Sequence, residues 1–82
     1  MDKLDYAIIN TMLRDLRAFS AIGGVTRKEI FDRLRVNHRT LHRRLAALVG
    51  KGCLAKGIRE GLSHTYYVTE KGVKAYEEVI GG

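Results

Sequence analysis

The sequence has no proline, no internal repeat and no low-complexity stretch. No linker therefore divides it, and residues 1–82 are expected to form one domain around one modest core. Its single cysteine, Cys53, excludes an internal disulfide and a metal site built from paired thiolates, which points to a reducing, cytoplasmic setting. No apolar run approaches the roughly 20 residues that span a bilayer, and the start, Met-Asp-Lys-Leu-Asp, is acidic where a secretory signal carries positive charge. Neither export nor membrane insertion is expected. Catalytic groupings are equally scarce. Ser20 and Ser63 fall in loops without an assignable His/Asp partner, and Gly50-Lys51-Gly52 lacks the spacing and the Ser/Thr of a phosphate-binding loop. The expectation is a protein that is not an enzyme and needs no cofactor.

What the sequence does have is positive charge, unevenly placed. The formal charge is +6. From Thr26 to Arg59, ten Lys/Arg stand against Glu29 and Asp32, a net of +8, while the remaining residues carry five bases and seven acids, a net of −2. A basic middle between mildly acidic ends predicts one surface facing a polyanion, with a merely solvated basic surface as the bland alternative.

Glycine-bearing breaks mark four segments. From Lys3 to Phe19, the residues Leu4, Ile8, Ile9, Met12, Leu13, Leu16 and Phe19 recur at helical spacing. The stripe is wide enough to touch the core and either the C-terminal helix or a second subunit. After Gly23-Gly24, Thr26-Arg27-Lys28-Glu29 is a capping box that starts a second helix ending near Arg35, with Ile30 and Leu34 inward. Asn37 caps a third helix from His38 to Val49, whose Leu41, Leu45 and Leu48 follow i, i+4, i+7. The turn between them is short, with Val36 as its apolar plug, and forces a steep crossing. Leu54 to Arg59 and His64 to Thr69 bracket Glu60-Gly61-Leu62-Ser63 and read as a β-hairpin with Tyr66 and Val68 inward and Tyr67 outward. Thr69 caps a last helix to about Ile80, where Val73, Tyr76 and Ile80 pack back on the first.

Thr26 to Leu45, TRKEIFDRLRVNHRTLHRRL, resembles the helix-turn-helix of winged-helix bacterial and archaeal transcription regulators. Lys51-Gly52-Cys53-Leu54 after Leu48, and Tyr66-Tyr67-Val68-Thr69-Glu70-Lys71-Gly72, are similar to the elements flanking the wing in the MarR, PadR and related groups. The resemblance covers roughly Val25 to Tyr76. It implies an α+β winged helix: a three-helix bundle with a helix-turn-helix, a two-stranded β-hairpin wing and a C-terminal helix. It also implies a small, nucleoid-associated regulator, a repressor, that binds double-stranded DNA sequence-specifically. Cys53 falls where such sequences carry a buried apolar residue, so a core thiol is expected there. Two positions depart from the helix-turn-helix pattern. Phe31 stands where a small residue lets the helices approach, and Arg35 stands where glycine takes a left-handed conformation.

With the leucines inward, the outer face of the third helix presents His38, Arg39, His42 and Arg43, with Thr40 at its edge and Asn37 at its cap. Donors on the N-terminal half of a recognition helix suit major-groove reading, where arginine bonds guanine O6 and N7. Arg27 and Lys28 are placed to hold phosphate, and Lys56, Arg59 and His64 of the wing to reach the minor groove or backbone. His38, His42 and His64 have no thiol or carboxylate convergent with them, which argues against a metal site. Imidazoles that charge near pH 6.5 predict tighter binding as the pH falls from about 8 to 6. A homodimer through helices 3–19 and 70–80 is expected, since most specific sites are read by two-fold dimers. The rival reading is a protein-interaction module, for which an apolar patch on the third helix is expected. Single-strand binding needs an aromatic platform, and the four tyrosines and two phenylalanines fall mostly at core positions.

Overall fold

The computed structural model of the chain describes residues 2–81. Its elements run α1 (Lys3–Asn10), a π-helical turn (Thr11–Asp15), β1 (Val25–Thr26), α2 (Arg27–Leu34), α3 (His38–Gly50), β2 (Leu54–Lys56), β3 (Thr65–Val68) and α4 (Glu70–Gly81). α2 and α3 form the helix-turn-helix, and β2 with β3 forms the wing. Asp2 starts α1 by accepting the amide of Asp5 at 2.8 Å. Ile8 and Ile9 of this helix and Met12 of the π-helical turn meet Ile30 of α2, Leu41, Leu45 and Leu48 of α3, Leu54 of β2 and Val68 of β3 in one apolar core. Cys53 is buried in it.

The helix expected over 3–19 ends early. Arg17 takes a left-handed conformation (φ 51°), and the Ala18 amide turns back to the Met12 carbonyl at 2.8 Å. This bond, spanning six residues, closes the helical segment just past an arginine in the left-handed position that glycine usually takes. The helical phase is lost there. Phe19 is consequently 57% exposed instead of lying on the apolar stripe, while Ala18 enters the core and its carbonyl accepts the Val68 amide at 2.7 Å. The wide stripe of α1 finds its second neighbour in α4, where Tyr76 stacks on Tyr6 with ring centroids 5.1 Å apart. The Tyr76 hydroxyl donates to Asn10 and accepts from Arg14, so a polar seam joins the two helices. The side chain of Ile80 lies outside the described residues.

The hairpin is joined by a third strand that the sequence pattern does not announce. The sheet is antiparallel in the order β1-β3-β2, with Val25 opposite Tyr66 and Leu54 opposite Val68. Tyr66 and Val68 point inward, and Thr65 is buried beside Gly24 and Gly57. The two motifs flanking the wing meet in space. Thr69 Oγ1 donates to the Gly52 carbonyl and accepts the Gly72 amide at 3.1 Å, which caps α4 against the end of α3. Gly72 lies so close to Cys53 that a Cβ there would stand 2.2 Å from the Cys53 carbonyl oxygen.

Candidate nucleic-acid interface

Three local structures aim one surface outward. The first is the start of α2, where the Thr26 hydroxyl accepts the Glu29 amide and the Glu29 carboxylate accepts the Thr26 amide, both at 3.3 Å. This reciprocal cap fixes the residues that follow, Arg27 and Lys28, at the exposed helix end.

The second is the turn. Arg35 is left-handed (φ 57°, ψ 36°), with its amide bonded to the Phe31 carbonyl at 2.8 Å. Phe31 does not wedge the helices apart. Its ring is partly buried at the side, 3.7 Å from the His38 ring at an interplanar angle of 14°, and the Arg35 guanidinium lies 5.8 Å from its centroid. The two departures from the usual motif thus answer one another: the aromatic ring clasps the first residue of α3, and the arginine covers the ring. Asn37 Oδ1 accepts the amides of Arg39 and Thr40, which completes the cap of α3.

The third is the wing tip. Glu60 and Ser63 exchange two 3.0 Å backbone hydrogen bonds around Gly61 and Leu62, a two-residue loop in which Gly61 supplies the positive φ of 62°. Arg59 folds back to donate to the Leu62 carbonyl at 3.1 Å, and the Leu62 side chain is 93% exposed.

Between these structures lies an open cleft of about 450 Å³. Thr26, Arg27 and Lys28 line it from α2, His38 and His42 from α3, and Leu62, Ser63, His64 and Tyr66 from the hairpin. Among the described residues no carboxylate lines it. Arg27 Nη1 stands 2.8 Å from His42 Nδ1, so the arginine is turned onto α3.

Of the residues singled out in the sequence, Arg27, Lys28, His38, His42 and His64 come together here. Arg39 and Arg43 are exposed further along α3, Thr40 is half-buried, and Asn37 is engaged in its cap. Lys56 is exposed on β2 opposite Tyr66. Leu62 was not singled out; its signal was a large apolar residue directly after the turn glycine of a polar loop. Arg44, next in sequence to Arg43, leaves this surface altogether and pairs with Asp2 at 2.6 Å, near the buried Asp5 at 3.8 Å. Among the described residues no group of His, Cys, Asp or Glu is disposed to hold a metal ion. No helix among them is long and apolar enough to cross a membrane.

A helix-turn-helix followed by a β-hairpin wing and a packed C-terminal helix defines the winged-helix class. Solved structures agree. TubR from Bacillus megaterium pBM400 superposes with a TM-score of 0.87 at 20% identity, over 100% of this chain and 89% of its own. The DNA-binding TubR fragment from Clostridium botulinum gives 0.75 at 19% identity, over 96% of both chains. A MarR family protein from Bacillus stearothermophilus gives 0.77 at 18% identity over 99% of this chain, which spans 52% of that longer one. No protein-family model matches the sequence, and comparison with curated proteins found no match. The chain therefore has the winged-helix fold that TubR and MarR-type regulators share.

Proposed function

We propose that this winged-helix chain, folding as one domain over residues 1–82, binds double-stranded DNA sequence-specifically and acts in the cytoplasm as a small transcriptional repressor. The observation that carries the reading is the carboxylate-free cleft: the start of α2, the outer face of α3 and the wing present Arg27, Lys28, His38, His42 and His64 toward one side. α3 enters the major groove with Arg39, His42 and Arg43 toward the bases. Lys28 and the α2 terminus hold phosphate, and His64, Arg59 and Lys56 follow the backbone or minor groove beside Leu62, whose exposed side chain suits an apolar contact there. The fold neighbour from C. botulinum, described as DNA-binding, supports this assignment. A protein-interaction role is disfavoured by the exposed side of α3, which offers His38, Arg39, His42 and Arg43 and no apolar patch. Two copies reading a two-fold site would join through α1 and α4, where Tyr6 and Val79 border a groove of about 220 Å³.

Selection of bound fragments from random duplex DNA, followed by anisotropy titrations, tests the reading. Contact with about four phosphates predicts roughly a hundredfold loss of affinity between about 50 and 200 mM salt. Lys28→Ala is expected to weaken all duplexes about equally, and Arg43→Ala to lower discrimination at a single base pair. Affinity indifferent to salt would refute the proposal.

A further inference from the structure

Resting on the DNA-binding reading, we infer that Arg27 is a positioning residue that fixes the tautomer of His42 and thereby the base edge His42 can recognise. The two residues belong to different helices of the motif, and Arg27 Nη1 lies 2.8 Å from His42 Nδ1. A guanidinium has donors and no acceptor. Nδ1 must therefore accept, so the ring is neutral and its proton sits on Nε2. Nε2 has no hydrogen-bond partner among the described residues, and the side chain is exposed on the outer face of α3.

An imidazole held in this state offers one donor and no free acceptor. In the major groove it matches an acceptor, guanine O6 or N7, adenine N7 or thymine O4, and it has nothing to give the N4 amine of cytosine. Released from Arg27, the same ring interchanges tautomers and accepts from an amine as readily as it donates to an oxygen. Arg27 keeps further N–H groups for a phosphate, so grip on the backbone and choice of base are joined through one side chain. The earlier expectation of a purely backbone-holding Arg27 is thereby extended.

Two measurements test this. Long-range nitrogen–proton spectra of the imidazoles in the free protein at about pH 8 are expected to show His42 in the Nε2–H form. Mixed tautomers are expected in Arg27→Met, whose exposed side chain leaves the fold intact. A mixed or Nδ1–H His42 in the unaltered protein overturns the inference. On the selected duplex, one position is expected to favour guanine over cytosine by about tenfold. That preference is lost in Arg27→Met and retained in Lys28→Met, which removes the same charge. Retention of the preference in both variants overturns the coupling. Failure to bind any duplex, with the Nε2–H form present, overturns the base-edge assignment through the DNA reading and leaves the Arg27–His42 clamp standing.

Discussion

Replacing Arg35 tests whether the turn that aims α3 is held by geometry or by contacts. Arg35 sits at φ 57° and ψ 36°, where an L-residue with a Cβ is disfavoured by about 1.5 kcal/mol. Its guanidinium lies 5.8 Å from the Phe31 centroid, an exposed cation–π contact that contributes about 0.5 kcal/mol. Arg35→Gly removes the strain and the contact, and it raises the entropy of the unfolded chain by about 0.5 kcal/mol. The net is about 0.5 kcal/mol of stabilisation. Arg35→Ala loses the contact and keeps the strain, a loss of about 0.5 kcal/mol. The Gly and Ala variants both lack the guanidinium, so their difference of about 1 kcal/mol isolates the backbone. In a domain of this size it amounts to about 4–8 °C in the thermal midpoint. Unfolding followed by circular dichroism at equal concentration gives the order Gly above Arg above Ala. An alanine variant as stable as the glycine variant would refute the claim that backbone strain is stored in this turn.

Two further substitutions probe the packing that holds the face in place. Gly72→Ala puts a Cβ against the Cys53 carbonyl at 2.2 Å and is expected to cost at least about 2 kcal/mol, whereas Gly50→Ala, with nothing within 4 Å of the added carbon, is expected to stabilise by about 0.5 kcal/mol. Denaturant midpoints of opposite sign relative to the parent check both. Asp2 is held below its ordinary value of 3.8 by the hydrogen bond from the Asp5 amide and by the Arg44 guanidinium. A depressed carboxyl stabilises the fold above its unfolded value and loses that contribution as the pH falls through its folded value. Asp2→Asn keeps the capping oxygen but not the charge, so its thermal midpoint should lie below that of the parent at neutral pH and converge with it as the pH falls through the lowered Asp2 value; a gap unchanged in acid would exclude the charge as the cause.

Features that depend on periodicity or on a local cap were legible in the sequence. Leu41, Leu45 and Leu48 are buried where the i, i+4, i+7 pattern puts them, and the Thr26–Glu29 and Asn37 caps form as their residue types require. The wing was legible through β-branched and aromatic content around a glycine turn. β1 was not, because two residues cannot display an alternation. The end of α1 was hidden for another reason: Arg17 adopts a glycine-like conformation without the glycine that would signal it.

The candidate site was legible as a set of residues but not as a set of contacts, because contacts across the turn depend on where two helices cross. The charge count illustrates the difference. Arg43 and Arg44 are adjacent and identical in type, yet one residue of phase separates their fates: about 100° around α3 carries Arg43 to the open face and Arg44 to the carboxylates at the start of α1. Counting both toward a polyanion-facing surface overstates its charge. Arg27 is a subtler case, since it stays on the surface but spends one donor on His42. The same bond that diminishes its freedom as a phosphate clamp gives a neutral histidine a defined polarity. On the proposed DNA-binding reading, the base such a surface selects is therefore a property of the helix crossing, set in turn by the Phe31–His38 stack and the left-handed Arg35.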